Sequence, residues 1–191
     1  MGLPQAIQEQ GEENVSIFEV GCGAGAFLFA LRQLYPKIQI AGIDYADGQI
    51  KFAERAIPDG EFRVQEATAI DTQHQYDFVI ANSVFHYFSQ QYAEEVVRRM
   101  IRKCRNGVAV TEVPDAGLRE ELEATRRGAL SVEEYQAKYE GLGHTYYLRS
   151  WFAGVVERAM PGQFEVSIGD GVIPNYVQNR FRFNCFIRKT T

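Results

Sequence analysis

The chain is poor in cysteine, in positive charge and in long apolar runs, and each shortage removes a class of protein. Cys22, Cys104 and Cys185 are odd in number and not spaced as pairs, which excludes a disulfide framework or a zinc staple and points to reduced thiols in a cytoplasmic compartment, with no metal expected. No apolar run approaches the roughly 18 residues that a membrane-spanning helix needs. The opening "MGLPQAIQEQGEEN" lacks the basic start and apolar stretch of a signal peptide, and Ala6 breaks the hydroxyl position of a myristoylation signal. Lys and Arg number 20 against 25 Asp and Glu, a formal net charge of -5, so polyanions such as nucleic acid and anionic membrane surfaces are disfavoured partners. What remains is a 191-residue chain, 46% hydrophobic, suited to one domain over 1–191.

The order of elements is regular. "VSIFEV" (15–20) is β-rich and stops at a glycine cluster, after which Phe27, Leu28, Leu31, Leu34 and Tyr35 recur at helical spacing until Pro36. "IQIAGID" (38–44) reads as a second buried strand, followed by a helix marked by Ile50, Ala53, Ala56 and Ile57 and stopped by Pro58. Strands are predicted at 61–65, 76–82 and 107–113, with a helix capped by Ser89 that carries Tyr92, Val96, Met100 and Cys104 on one face. Such alternation implies right-handed crossovers, a parallel sheet and a ligand at the carboxyl ends of its strands. An insertion at 115–147 breaks the pattern with two helices, the second opened by a capping box from Ser131 to Glu134. A helix capped by Ser150 follows, then strands at 163–168 and 180–189 that no helix separates, so they should pair antiparallel.

The glycines carry the functional question. "FEVGCGAGAF" (18–27) satisfies G-x-G-x-x-A, a form of the dinucleotide fingerprint, with Asp44 about 20 residues on. It also satisfies G-x-G-x-G with an acid, Glu19, two residues ahead. The glycines alone do not choose between them, but charge does: a pyrophosphate on the helix N-terminus would be repelled by Glu19. A ligand with an ammonium and a sulfonium and no phosphate would be attracted, its own carboxylate free to take loop N–H groups.

With these segments in order, the chain resembles the class I S-adenosylmethionine-dependent methyltransferases, of the small-molecule type, over nearly its whole length. "EVGCGAG" is similar to their first motif, "GIDYA" to the acidic end of the second strand, "QEATAI" to the segment cupping adenine and "YDFVIANSVFHYF" to the fourth motif. The resemblance implies an α/β, Rossmann-like three-layer sandwich with a seven-stranded, mostly parallel sheet and an antiparallel C-terminal strand. It implies S-adenosyl-L-methionine as cofactor. Glu19 would face the methionine ammonium through water, and Gly21, Cys22, Gly23 and Gly25 would form the cradle. Asp44 would accept both ribose hydroxyls and Tyr45 would flank the adenine. Glu66, Ala67 and Thr68 would approach the adenine ring, with Glu66 accepting from its amine, and Asn82, Ser83 and Val84 would line the methionine end.

Methyl transfer is an in-line displacement at a carbon the cofactor has already activated, so positioning can carry about 7–11 kcal/mol of the barrier without an obligatory acid or base. Should the acceptor need deprotonation, His86 in the fourth motif and His144 in the insertion are the candidate catalytic bases, whereas His74 sits in polar "DTQHQYD" and reads as solvated. The segment "ANSV" lacks the asparagine-proline-proline-aromatic run of nucleobase and glutamine methyltransferases. The arginine-rich run from Arg98 to Arg105 falls in the last turns of a helix, where cations offset the dipole. A small-molecule acceptor is expected, methylated on oxygen, nitrogen or carbon, with the 115–147 insertion as its lid. Only about 14 residues precede the first strand, so the cleft is either unusually open or the chain is part of a larger protein. The alternatives are a non-catalytic cofactor-binding or scaffold protein of the same fold and an NAD-dependent oxidoreductase.

Overall fold

The computed structural model describes residues 3–139, 143–171 and 173–190. Residues 140–142 of the insertion, and 1, 2, 172 and 191, lie outside the described residues.

Seven strands form one sheet in the order β3-β2-β1-β4-β5-β7-β6: β1 (Ser16–Val20), β2 (Gln39–Asp44), β3 (Glu61–Val64), β4 (Tyr76–Asn82), β5 (Cys104–Pro114), β6 (Phe164–Asp170) and β7 (Arg182–Lys189). The apolar runs β1 and β4 take the centre, where both faces are covered: all five residues of β1 are buried. β1 pairs in parallel with β2 and β4, β2 with β3, and β4 with β5, whereas β7 lies antiparallel between β5 and β6. Six strands therefore run one way and one against them, as expected. The order reverses between β1 and β4, so the carboxyl ends of the central strands open a crevice at the switch point.

Helices cover both faces. On one, α1 (Leu3–Gln10), α2 (Ala26–Leu34) and α3 (Asp47–Ala56) pack Ala6, Leu28, Leu31, Ile50 and Ala53 against Ile17, Ile40 and Phe78. On the other, α4 (Gln90–Lys103) and α7 (Trp151–Ala159) bury Val96, Val97, Met100, Phe152 and Val155 against Phe18, Val79, Val110 and Phe183. The crossover from β3 to β4 contains only a 3-10 turn, Ala67–Ala69. There Lys103 substitutes for a helix: its stem is buried, its Nζ lies over the rings of Phe18 and Tyr76 at 4.4 and 5.0 Å, and it donates to the carbonyls of Asp71 and His74 at 2.7 and 2.9 Å. Burial holds its ammonium below the usual lysine range. Elsewhere in the arginine-rich run, Arg98 pairs with Glu94, Arg99 with Glu95 and Arg105 with Asp77 of β4.

Three local expectations change. Helix α1 was not anticipated, although Leu3, Ala6 and Ile7 have helical spacing and Pro4 fits a first turn. Cys104 is not on the face of α4: the chain passes from Lys103 straight into β5, which begins three residues early. Ser150 precedes α7 but makes no side-chain capping bond. The capping box is present, Ser131 N–H donating to Glu134 Oε2 at 2.8 Å and Glu134 N–H to Ser131 Oγ at 3.2 Å.

The segment 115–147 carries α5 (Arg119–Gly128) and α6 (Val132–Tyr139) and is fastened at both ends. Asp115 and Tyr147 form an isolated bridge, and the buried Tyr147 hydroxyl donates to the carbonyls of Phe85 and Phe88 at 3.0 and 2.8 Å. Tyr147 is thus a core residue. Tyr135 and Tyr139 face each other on α6, under Arg127 and Arg126 of α5.

Candidate functional site

At the carboxyl ends of β1, β2 and β4 lies a cavity of about 780 Å³. Its wall includes Gly21, Gly23, Asp44, Tyr45, Glu66, Ala67, Ser83 and Val84, eight of the positions the sequence singled out, and they come from four separate segments. Strand geometry brings them together. β1 ends at Val20, and the glycine loop turns back toward β2 because Gly21 and Cys22 both donate to the carbonyl of Ile43, at 2.8 and 2.9 Å. Gly21 and Gly23 have φ of 71° and 51°, values that favour glycine. A Cβ at Gly21 would stand 2.7 Å from Val84 Cγ2, whereas one at Gly23 would meet nothing within 4 Å: it would project into open space.

Asp44 is the hub. Its Oδ2 accepts from Gly23 N–H and its Oδ1 from Ala46 N–H, both at 2.9 Å, which leaves each oxygen a further lone pair for a ligand hydroxyl. Glu19 stands on β1 only 2% exposed, and its Oε2 has no hydrogen-bond partner. Burial first, and the charge of Asp44 second, push its carboxyl up from 4.5 to about 8. The two charged residues that line the cavity, Asp44 and Glu66, are both acidic.

The remaining predicted positions sit elsewhere. Cys22 is buried with its side chain against Gly42, away from the cavity, and its thiol is pushed well up by burial. Gly25 packs on Ala53. Glu19, Cys22, Gly25, Thr68 and Asn82 are not among the cavity's lining residues, and Asn82 Oδ1 instead accepts from Thr111 Oγ1 at 2.7 Å. The N–H groups of Gly21, Cys22, Gly23 and Gly25 are already spent, on Ile43 and Asp44 of β2 and on Cys22 of the loop itself. The cradle therefore offers close backbone rather than these donors. Glu66 is engaged by the Tyr92 hydroxyl at 2.9 Å, an interaction that sequence did not suggest because Tyr92 reads there as core. Tyr87, Phe88 and Tyr92 complete an aromatic wall; the aromatic spacing of "FHYFSQQY" was the signal available for it.

His86 is 6% exposed, behind this wall rather than on it. Its ring lies 4.0 Å from that of Tyr87 and 4.8 Å from that of His144, so the two candidate histidines do meet. Burial, then Arg182 and His144, push His86 down to about 4, and burial with Arg126 and Arg182 lowers His144. Among the described residues no group of three or more His, Cys, Asp or Glu is placed to hold a metal ion, and no helix is long and apolar enough to cross a membrane.

A sheet of this strand order, with an acid-lined cavity over its first two strands, defines a class I methyltransferase fold. Residues 17–107 match a family model described as a methyltransferase domain. Magnesium protoporphyrin IX methyltransferase from Synechocystis PCC 6803, solved with S-adenosylhomocysteine, superposes with a TM-score of 0.69 at 12% identity, over 98% of this chain and 79% of that one. Plantazolicin methyltransferase, also solved with S-adenosylhomocysteine, gives 0.71 at 17% identity over 93% and 76%. In sequence, the malonyl-acyl-carrier-protein O-methyltransferase of Bacillus cereus is 26% identical over 104 residues, 52% of this chain and 38% of that protein. The chain spans less than half the length of the curated relatives it matches. Its fold is that of the class I methyltransferases, and residues 17–107 are similar in sequence to a methyltransferase domain.

Proposed function

We propose that the protein transfers a methyl group from S-adenosylmethionine to a small-molecule acceptor. One observation carries the choice of cofactor: a buried carboxyl with an unpartnered oxygen, Glu19, lies on β1 close enough to feel the charge of Asp44, which lines a cavity whose charged lining residues are both acids. A diphosphate would meet like charge there, while a ligand bearing an ammonium and a sulfonium supplies what Glu19 lacks. When bound, S-adenosylmethionine supplies a methyl carbon activated by its sulfonium.

The chain's own residues then have distinct tasks. Glu19 offers its free oxygen to the ammonium; Asp44, fixed by two backbone donors, takes the ribose hydroxyls; Tyr45 and the Tyr87–Phe88–Tyr92 wall enclose the base; Tyr92 holds Glu66 toward its amine. Ser83, at φ 54°, and Val84 line the end of the cavity nearest β4. The insertion at 115–147 serves as the acceptor lid, and His86 and His144 stand on the acceptor side, both made less basic by burial. Relatives named for malonyl-acyl-carrier-protein and for magnesium protoporphyrin IX support an acceptor of metabolite type.

Calorimetry with S-adenosylhomocysteine and with NAD tests the reading. Saturable binding of the former, weakened by Asp44→Ala, together with transfer of labelled methyl to components of a metabolite extract, is the expected result. Binding of NAD alone would return the chain to the oxidoreductases, and binding without any transfer would make it a non-catalytic member of the fold.

A further inference from the structure

Beneath the crossover from β3 to β4, on the sheet face that carries α4, lies a second cavity, of about 210 Å³. It exists because that crossover holds only a 3-10 turn: Phe18, Ala41 and Ile43, which a helix would cover, form its floor. Its volume is several times the roughly 30 Å³ of one water and below the roughly 300 Å³ at which sites for larger ligands begin. It suits a small molecule or ion and excludes a nucleotide.

Charge decides which kind. Lys103 stands in the wall, 3% exposed. Two of its three donors go to the carbonyls of Asp71 and His74, and its Nζ lies over the Phe18 and Tyr76 rings. Among the described residues no carboxylate is within ion-pair distance of that ammonium, so dipoles and ring faces alone oppose a buried full charge. A second cation, Arg63, is opposite Ile43 in the parallel β2–β3 register and so projects from the same face; it makes no hydrogen bond or ion pair with a described residue. The acids of the wall differ. Asp71 Oδ1 accepts from Gln73 N–H at 2.9 Å within its own loop, and Asp71 and Glu61 are both exposed. Carboxylates in water need no partner, whereas a buried ammonium does, and this asymmetry selects an anion.

Two residues, Ile43 and Gln65, line both this cavity and the larger one. The Ile43 carbonyl holds the N–H groups of Gly21 and Cys22. Gln65 donates its N–H to the Asp44 carbonyl at 2.9 Å and its Nε2 to the Ala69 carbonyl at 2.5 Å, which closes the turn that carries Ala67 into the cofactor cavity. We infer that the smaller cavity is an effector site for a small oxyanion, a carboxylate or a phosphate, held between Lys103 and Arg63, and that its occupancy tightens cofactor binding by steadying residues 65–69. The anion site stands on its own geometry; its effect on the cofactor rests on the reading under Proposed function. By linkage, the cofactor tightens the anion by the same factor.

The protein is titrated at constant ionic strength with sodium phosphate, acetate and benzoate, and with acetamide and benzamide as uncharged counterparts. Calorimetry and the ring-proton signals of His74, one of three histidines in the chain, report binding. Saturable shifts with phosphate or with the carboxylates, and none with the amides, are expected, and the class that acts identifies the source of the anion. Arg63→Gln should weaken the anion about tenfold or more while S-adenosylhomocysteine binding in anion-free buffer stays unchanged. Lys103→Met, which keeps the stem on the rings, should abolish the shift. At saturating anion the Kd for S-adenosylhomocysteine should fall about fivefold or more, and Arg63→Gln should lose that gain. Shifts that do not saturate, that the amides reproduce, or that persist undiminished in Arg63→Gln would overturn the site, whether or not Lys103→Met folds. If S-adenosylhomocysteine binds equally well with and without bound anion, the effector role fails. If S-adenosylhomocysteine does not bind at all, the cofactor reading fails, and the His74 result decides the anion site by itself.

Discussion

Replacing Glu19 by Gln should uncouple stability from pH and weaken the cofactor at the same time. In the native chain the carboxyl is displaced from 4.5 to about 8 because it is buried and lies near Asp44. At about 1.4 kcal/mol per pH unit, that displacement corresponds to a cost on the order of 4–5 kcal/mol for carrying the charge in the folded, ligand-free protein. The sign follows from proton counting. Below pH 4.5 both folded and unfolded states hold the proton and Glu19 is neutral to stability. Between 4.5 and about 8 only the folded state holds it, so stability declines as pH rises, by about 3 kcal/mol at pH 7, and levels off above 8. Glu19→Gln keeps the shape without the charge. Urea unfolding at pH 5, 7 and 8.5 should therefore show the variant gaining on the native protein by several kcal/mol across that range. Cofactor binding reverses the sign: an ammonium beside Glu19 favours the carboxylate, so S-adenosylhomocysteine should expel up to one proton near pH 7. Calorimetry in buffers of different ionisation heat measures it. The variant should expel none and bind about 10- to 100-fold more weakly. A difference in stability that stays constant from pH 5 to 8.5, with the same proton release in both proteins, would refute the argument that Glu19 is a buried acid awaiting a cation.

Other changes probe other parts of the account. Gly21→Ala places a methyl 2.7 Å from Val84 Cγ2 at a φ of 71°, so about 2–4 kcal/mol of stability should be lost and the cavity narrowed, read as a lower Tm and weaker S-adenosylhomocysteine binding. Tyr147→Phe strips the donor shared by the carbonyls of Phe85 and Phe88; about 1–3 kcal/mol should disappear in urea unfolding, and unchanged stability would mean that water replaces the hydroxyl. Tyr92→Phe frees Glu66, which should raise KM for S-adenosylmethionine several-fold while kcat is kept; a fall in kcat instead would place Tyr92 on the acceptor side.

The sheet was legible because its signals are local. Short, mostly apolar segments such as "SIFEV" and "YDFVIAN" fit strands buried on both faces, and the absence of a helical segment between the last two strands predicts their antiparallel pairing. The cavity was legible where a residue's position follows from its place at a strand tip, as for Gly23 and Asp44. Sequence said less where a role depends on a partner far along the chain. Tyr92 sits 26 residues from Glu66 yet bonds to it, and Asn82 turns from the cavity to Thr111. The boundary at Cys104 was obscured because its spacing from Met100 continues the helical period into a strand with no loop between. Nothing in "AVTEVPD" marks Glu112 as a residue of positive φ; that follows from a bulge set by pairing with β7.

The measurement closest to the central claim is the structure of the protein crystallised with S-adenosylhomocysteine. The account predicts the nucleoside in the cavity over β1 and β2, its amino group against the free oxygen of Glu19 and its ribose hydroxyls on Asp44. A ligand found elsewhere, or a Glu19 oxygen still without a partner while the ligand is bound, would contradict it.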